Sequence, residues 1–229
     1  MTIFHDIIKV WKSEDLLSQA WEESLEMLYF SKKIFNKSII YFNSGKNIES
    51  VKELKKKDQT INEFHKSVRR KIVTHFSIGE NSKNITSGLI LAEMIVDIER
   101  IGDYCKNISD LTILNSKKMN FEPLKSKIEK IENEVLKRFS NTIEAIEEQN
   151  EDLALKLVKK YNSKIASNSD EIVNEIISGN TKYPTSSDAA SAVLYARYLK
   201  RIGAHLKNIT TTIVNPYDKV GYQDNLKLL

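Results

Sequence analysis

Apolar residues recur at three- and four-residue intervals along most of the chain, the spacing of a helix face rather than the alternation of a strand. A first run covers about 14–43, with Leu17, Trp21, Leu25, Leu28 and Ile39 in step, and ends at Ser44-Gly45-Lys46-Asn47. A second, at about 48–78, carries Val51, Leu54, Ile61, Phe64, Val68 and Ile72, and stops near Gly79-Glu80-Asn81. The third spans about 84–114. After a break at about 115–122, Pro123 suits the first turn of a fourth helix reaching about 150. Asn150-Glu151-Asp152 reads as a short joint whose asparagine caps a fifth helix, running to about 178. Beyond a loop at about 179–187, Ser187 or Asp188 suits the cap of a sixth helix, which Pro216 closes. The pattern predicts an all-α protein of six long antiparallel helices.

The third and sixth helices carry related text. The stretch from Ile98 to Ile108, Ile-Glu-Arg-Ile-Gly-Asp-Tyr-Cys-Lys-Asn-Ile, aligns with Leu199 to Ile209, Leu-Lys-Arg-Ile-Gly-Ala-His-Leu-Lys-Asn-Ile, and six of the eleven positions are identical. An internal repeat of three helices per unit is the expected organisation. The division is 1–116 for the first three-helix bundle, 117–216 for the second and 217–229 for a tail. At about 100° per residue, Ile90, Met94, Ile98, Ile101, Cys105 and Ile108 form one stripe of the third helix. Ser191, Tyr195, Leu199, Ile202, Leu206 and Ile209 form its twin in the sixth. Gly102 and Gly203 border these stripes at mid-helix, where glycine costs about 1 kcal/mol relative to alanine. A cost repeated at the same place in both halves points to close helix approach.

Composition narrows the class. Seven Gly and three Pro are too few for the turns of a sandwich or barrel. One cysteine, Cys105, cannot close an internal disulfide, so a reducing compartment is expected. The first residues lack a basic flank and apolar run, and no apolar window spans a bilayer, so the reading is cytoplasmic. A net charge of +4 from 35 basic and 31 acidic residues, well mixed along the chain, argues against a nucleic-acid groove. Cys105 lies in the apolar stripe and reads as packing rather than a nucleophile. His5, His65, His75 and His205 show no ligand spacing, and His205, at the position of Tyr104, reads as a helix-flank residue.

Glu99 and Asp103 stand four apart, so their carboxylates share one helix face, nearly opposite the apolar stripe, with Asp110 two turns on. Such a pair needs a cation or base to neutralise it; ion pairing with Arg100 or Lys106 and a hard cation both meet that need. The string from Asp97 to Ile108, with its Glu-Arg-Ile-Gly-Asp core, resembles the signature of the PhoU family. Asp58-Gln59-Thr60-Ile61-Asn62 resembles that family's acidic turn on the second helix, and Arg197-Tyr198-Leu199-Lys200-Arg201-Ile202-Gly203 its second-repeat signature. The resemblance covers essentially the whole chain. It implies a cation of iron or zinc type held by Glu99 and Asp103, with Asp58 or Asn62 as weaker ligands. The second-repeat site should be lost, because Lys200 and Ala204 stand where its acids belong.

The resemblance also implies a regulatory adaptor that restrains a phosphate transporter at the cytoplasmic face of the membrane, with a sensor histidine kinase as a further partner and a homodimer as the assembly. No enzyme activity is expected. A metal-dependent enzyme or metal carrier using Glu99 and Asp103 is the alternative, although the Glu-x-x-His pairs of di-iron bundles are missing.

Overall fold

The computed structural model describes residues 15–45, 47–78, 82–115 and 121–222. The expected start of the first helix at Glu14, the break at 79–81 and the end of the tail lie outside them. Among the described residues all regular structure is helical: α1 (Leu16–Ser44), α2 (Ile48–Lys56), α3 (Asp58–Ser77), α4 (Ile85–Leu114), α5 (Lys125–Glu147), α6 (Glu151–Tyr161), α7 (Ser167–Ile177) and α8 (Ser186–Val214). A π-helical segment, Asn162–Ala166, joins α6 to α7. These form six long helical runs, three in each half.

Local chemistry explains most ends. Asp15 accepts hydrogen bonds from the Leu17 and Ser18 amides and starts α1, and Gly45, in the left-handed region at φ 62°, ends it. Asn150 caps α6 by accepting from the Leu153 amide, as expected. Two caps differ from expectation. Thr185, not Ser187 or Asp188, caps α8, accepting from the Asp188 amide at 3.0 Å. Pro123 lies in a turn ahead of α5, closed by the Leu124 amide donating to the Phe121 carbonyl, which brings Phe121 into the core.

Two expected single helices are interrupted, and at matching places. The second run breaks at Lys57, between α2 and α3. Lys55 and Lys56 lie in the last turn of α2 and Asp58 in the first turn of α3, so each charge faces the helix-dipole end that favours it. Periodicity continues across the break because only one residue leaves the helix. The fifth run is interrupted instead by the π turn.

Helices α4 and α8 form the seam between the halves and run antiparallel: Asn115 meets Ser191, Tyr104 meets Tyr198 and Asp97 meets His205 and Asn208. Both expected stripes are buried, every member at 5% exposure or less. One apolar core runs through both halves. At its centre Tyr195 stacks on Phe42 (4.0 Å between centroids) and on Phe121. The Tyr195 hydroxyl donates to Glu132 Oε1 at 2.5 Å, and Asn43 Nδ2 donates to the same carboxylate. Burial, opposed by these two donors, holds the Glu132 carboxyl above the ordinary glutamate range.

That shift sets a direction. Between the unfolded pKa of glutamate and the raised folded value, the folded state holds the proton and the unfolded state does not, so stability falls as pH rises through that window. Glu132→Gln should flatten the fall, and Tyr195→Phe, which leaves the carboxylate short of a donor, should cost about 1–3 kcal/mol. Urea unfolding from about pH 4 to 8 measures both, and an unchanged slope in Glu132→Gln would refute the assignment.

Candidate functional site

Glu99 and Asp103 lie on the side of α4 that faces α3 and solvent, and both are partly exposed. Their partner is Arg100. Its Nη1 donates to Asp103 Oδ2 at 3.0 Å, and its Nε lies 3.7 Å from Glu99 Oε2. Burial and then the Asp103 charge push the Glu99 carboxyl above the ordinary range, with Arg100 only partly offsetting them. On the facing helix Asp58 is 9% exposed. Lys106 Nζ reaches its Oδ2 at 3.2 Å, and Asn62 Nδ2 donates to the same oxygen at 3.3 Å. Its other oxygen, Oδ1, is buried with no hydrogen-bond partner.

The structure therefore gathers all four sequence-predicted residues along the α3–α4 crevice, but divides them between two cations. Arg100 holds the Glu99/Asp103 pair and Lys106 holds Asp58. Among the described residues no three His, Cys, Asp or Glu side chains converge as a metal-holding group. Asp110, further along, pairs with Lys55. Cys105 is fully buried, and burial and then the Asp58 charge push its thiol far above the range where a thiolate forms, which fits packing. His205 departs from the helix-flank reading: its Nδ1 meets Asp97 Oδ1 at 2.7 Å across the seam, and its ring stacks on Tyr104.

Glycine fixes the crevice. A Cβ at Gly102 would stand 2.6 Å from Ile61 Cδ1 and 3.7 Å from Asp58 Oδ1, so a side chain here would force Ile61 to shift. At Gly203 the matching neighbours are Ile165, at 3.0 Å, and Tyr161, at 3.5 Å. The two halves thus correspond, but with a shift. Counted from the capping residues Asn47 and Asn150, Asp58 matches Tyr161, while Ile61 would match Lys164 rather than Ile165. The second half has one extra residue, and it falls in the π turn 162–166, the helix geometry that absorbs an insertion without ending the helix.

Every candidate ligand of the first site is also replaced in the second. Glu99 becomes Lys200, Asp103 becomes Ala204, Asp58 becomes Tyr161 and Asn62 becomes Ala166. Lys200 holds Asp170 at 2.6 Å, joined by Arg197 at 3.0 Å. Lys106, which pairs with Asp58, corresponds to Lys207, which lies over the Tyr161 ring at 5.8 Å. Sequence reasoning offered Lys106 to the Glu99/Asp103 pair rather than to Asp58, and it missed Tyr161 and Arg138. The shared Asn47/Asn150 cap register would have exposed Tyr161, whereas Arg138 reads as a surface charge until the helices are packed.

A duplicated three-helix unit, joined along its third helices and carrying an acidic crevice in one half only, is the class that this geometry defines. The PhoU domain family matches residues 25–112 and 128–213, one match in each half, and the chain belongs to that family. Its fold is similar to PhoU from Pseudomonas aeruginosa, at 17% identity and TM-score 0.78, covering 87% of this chain and 95% of that one. It is likewise similar to the phosphate transport system regulatory protein PhoU from Streptococcus pneumoniae, at 15% identity and TM-score 0.76, covering 86% and 93%. A search of curated proteins gives no significant match.

The Lys106–Asp58 pair is partly buried on the acid side and 41% exposed on the lysine side. Lys106→Met should destabilise the fold by about 1–2 kcal/mol after discounting for solvent screening. Adding Asp58→Asn should recover much of the loss, because the unpaired carboxylate is then gone. Denaturant midpoints of the two single variants and the double variant supply the check; strict additivity would mean the pair is not coupled.

Proposed function

We propose that the protein regulates phosphate transport, restraining a phosphate transporter by docking a helical face onto the complex at the cytoplasmic side of the membrane. The observation that carries this reading is the match of the PhoU domain family to both halves of the chain. A similar fold belongs to a protein described as a phosphate transport system regulator. No helix among the described residues is long and apolar enough to cross a membrane, which suits a protein that acts on a membrane complex without joining it. A sensor histidine kinase is the second partner of this reading, and a homodimer its assembly.

The acidic crevice fits regulation by a cation. The buried Asp58 Oδ1 lacks a donor, and Glu99 is held above the usual carboxylate range by burial and by Asp103. An iron or zinc type cation would take Glu99 and Asp103 as ligands, and Asp58 and Asn62 would have to close toward them, since no three acids converge among the described residues. Arg100 would have to give up the Glu99/Asp103 pair. When bound, the cation would supply positive charge between α3 and α4, and the chain's own residues would do the docking. The second half, with Lys200 and Ala204, offers no equivalent.

Two measurements test the reading. Deleting the gene should raise phosphate uptake in phosphate-replete cells, and crosslinked full-length protein should recover transporter subunits. Unchanged uptake with no transporter recovered would overturn the regulatory role. In elemental analysis, metal content should fall to background in Asp103→Ala, and in wild type should decline as pH falls through the raised range of Glu99, since the proton and the cation compete. Equal metal content in wild type and variant would remove the cation from the proposal.

A further inference from the structure

The second half holds two cations that form no ion pair among the described residues. Arg138, on α5, is 4% exposed, and its Nη1 is buried without an acceptor. Its guanidinium lies 5.7 Å from the centroid of the Tyr161 ring. Lys207, on α8, lies 5.8 Å from the centroid of the same ring. Its ammonium donates only to a neutral group, the Gly221 carbonyl, at 2.8 Å. Neither cation forms an ion pair among the described residues.

The neighbouring acids are already engaged or stand off. Asp97, whose charge Lys207 feels, accepts from Asn208 and contacts His205. Asp170 is held by Lys200 and Arg197. Glu134 acts on Arg138 only through space. Arg201 and Arg197 add further positive potential at Tyr161. Burial pushes Arg138 down to about 10, opposed by Glu134 and Tyr161, and Lys207 is lowered by burial and by Arg138, opposed by Asp97. In the first half the same place is neutral overall: Ile34 lines it, and Lys106 is balanced by Asp58.

We infer that Arg138, Lys207 and the Tyr161 ring form a binding site for a doubly charged tetrahedral oxyanion of the phosphate class. Two unpaired cations require two negative charges, which a carboxylate does not bring. A guanidinium fork and an ammonium with two uncommitted hydrogens match adjacent oxygens of a tetrahedral anion. Tyr161 forms the apolar wall and does not compete, since its hydroxyl donates to the Lys200 carbonyl at 3.3 Å. Beside Lys207, residues 215–222 fold back along α8. There the Gly221 amide donates to Thr211 Oγ1, and Asn215 donates to the carbonyls of Lys219 and Tyr222. The anion takes the place of the Gly221 carbonyl at Lys207.

The site rests on neither the cation crevice nor the regulatory reading, so uptake and transporter-capture results leave it standing or falling by itself. The purified full chain is titrated by calorimetry with inorganic phosphate and with O-phosphoserine, at constant ionic strength set by chloride. Phosphate should bind to one site per chain, and Lys207→Met should weaken it about tenfold or more. Arg138→Met should abolish binding while raising the melting temperature without phosphate, because a buried unpaired charge is replaced by an apolar side chain of similar length. If Arg138→Met fails to fold, Lys207→Met carries the test. Binding of O-phosphoserine alone, lost in Lys207→Met, would assign the site to a phosphorylated partner rather than to free phosphate. Heat no different from a chloride control for both ligands, or unchanged affinity in Lys207→Met, would overturn the site.

Discussion

The contact on which the rest of the molecule depends is a bare glycine in the third helix of each half, pressed by an isoleucine of the second. Gly102 admits Ile61 at a separation from which a Cβ would displace the isoleucine, and Gly203 admits Ile165 at one that a Cβ would make tight. That approach decides which residue of the second helix lies against the third, and so decides the chemistry of the crevice. In the first half it delivers Asp58 to Lys106, close to the Glu99/Asp103 pair. In the second it delivers Tyr161 to Lys207. Mid-helix glycine lowers helix propensity by about 1 kcal/mol, and close packing against a fully buried isoleucine offsets it.

One inserted residue then separates the fates of the two halves. A helix cannot take an extra residue without rotating everything beyond it by about 100°, which would turn Ile165 away from Gly203. The π turn at 162–166 confines the rotation to one turn and keeps Ile165 in place. Just ahead of it, a phenol stands where the first half has a carboxylate. The loss of acid at positions 200 and 204 is therefore part of a wider remodelling, because the second-helix partner has changed with them. The result is a scaffold of near-symmetric backbone and opposed charge, acidic in one crevice and basic in the other.

The seam between α4 and α8 keeps these two crevices in one body. Its apolar stripes are uninterrupted, and its polar members, Asp97 with His205 and Asn208 and Asn115 with Ser191, pair across the halves. Glu132, Tyr195 and Asn43 do the same deeper in the core, where a carboxylate is tolerated because two donors meet it. Polar groups that find partners only across the seam favour one register of the two halves over sliding alternatives.

Much of this was legible in the residues alone. The three- and four-residue apolar spacing gave the six helical runs, the Arg-Ile-Gly and Lys-Asn-Ile repeats gave the duplication and its buried stripes, and Lys200 and Ala204 gave the asymmetry of the acids, because each depends on local order along one helix. The breaks at Lys57 and at 162–166 were not legible, since a single residue leaving the helix, or a single one added, hardly disturbs the spacing. Nor were the pairing of Lys106 with Asp58 rather than with Glu99 and Asp103, or the isolation of Arg138: a charge reads the same in sequence whether water or a core surrounds it. Tertiary packing alone decided which charges found partners, because pairing depends on distances between helices that the order of residues along any one of them does not contain.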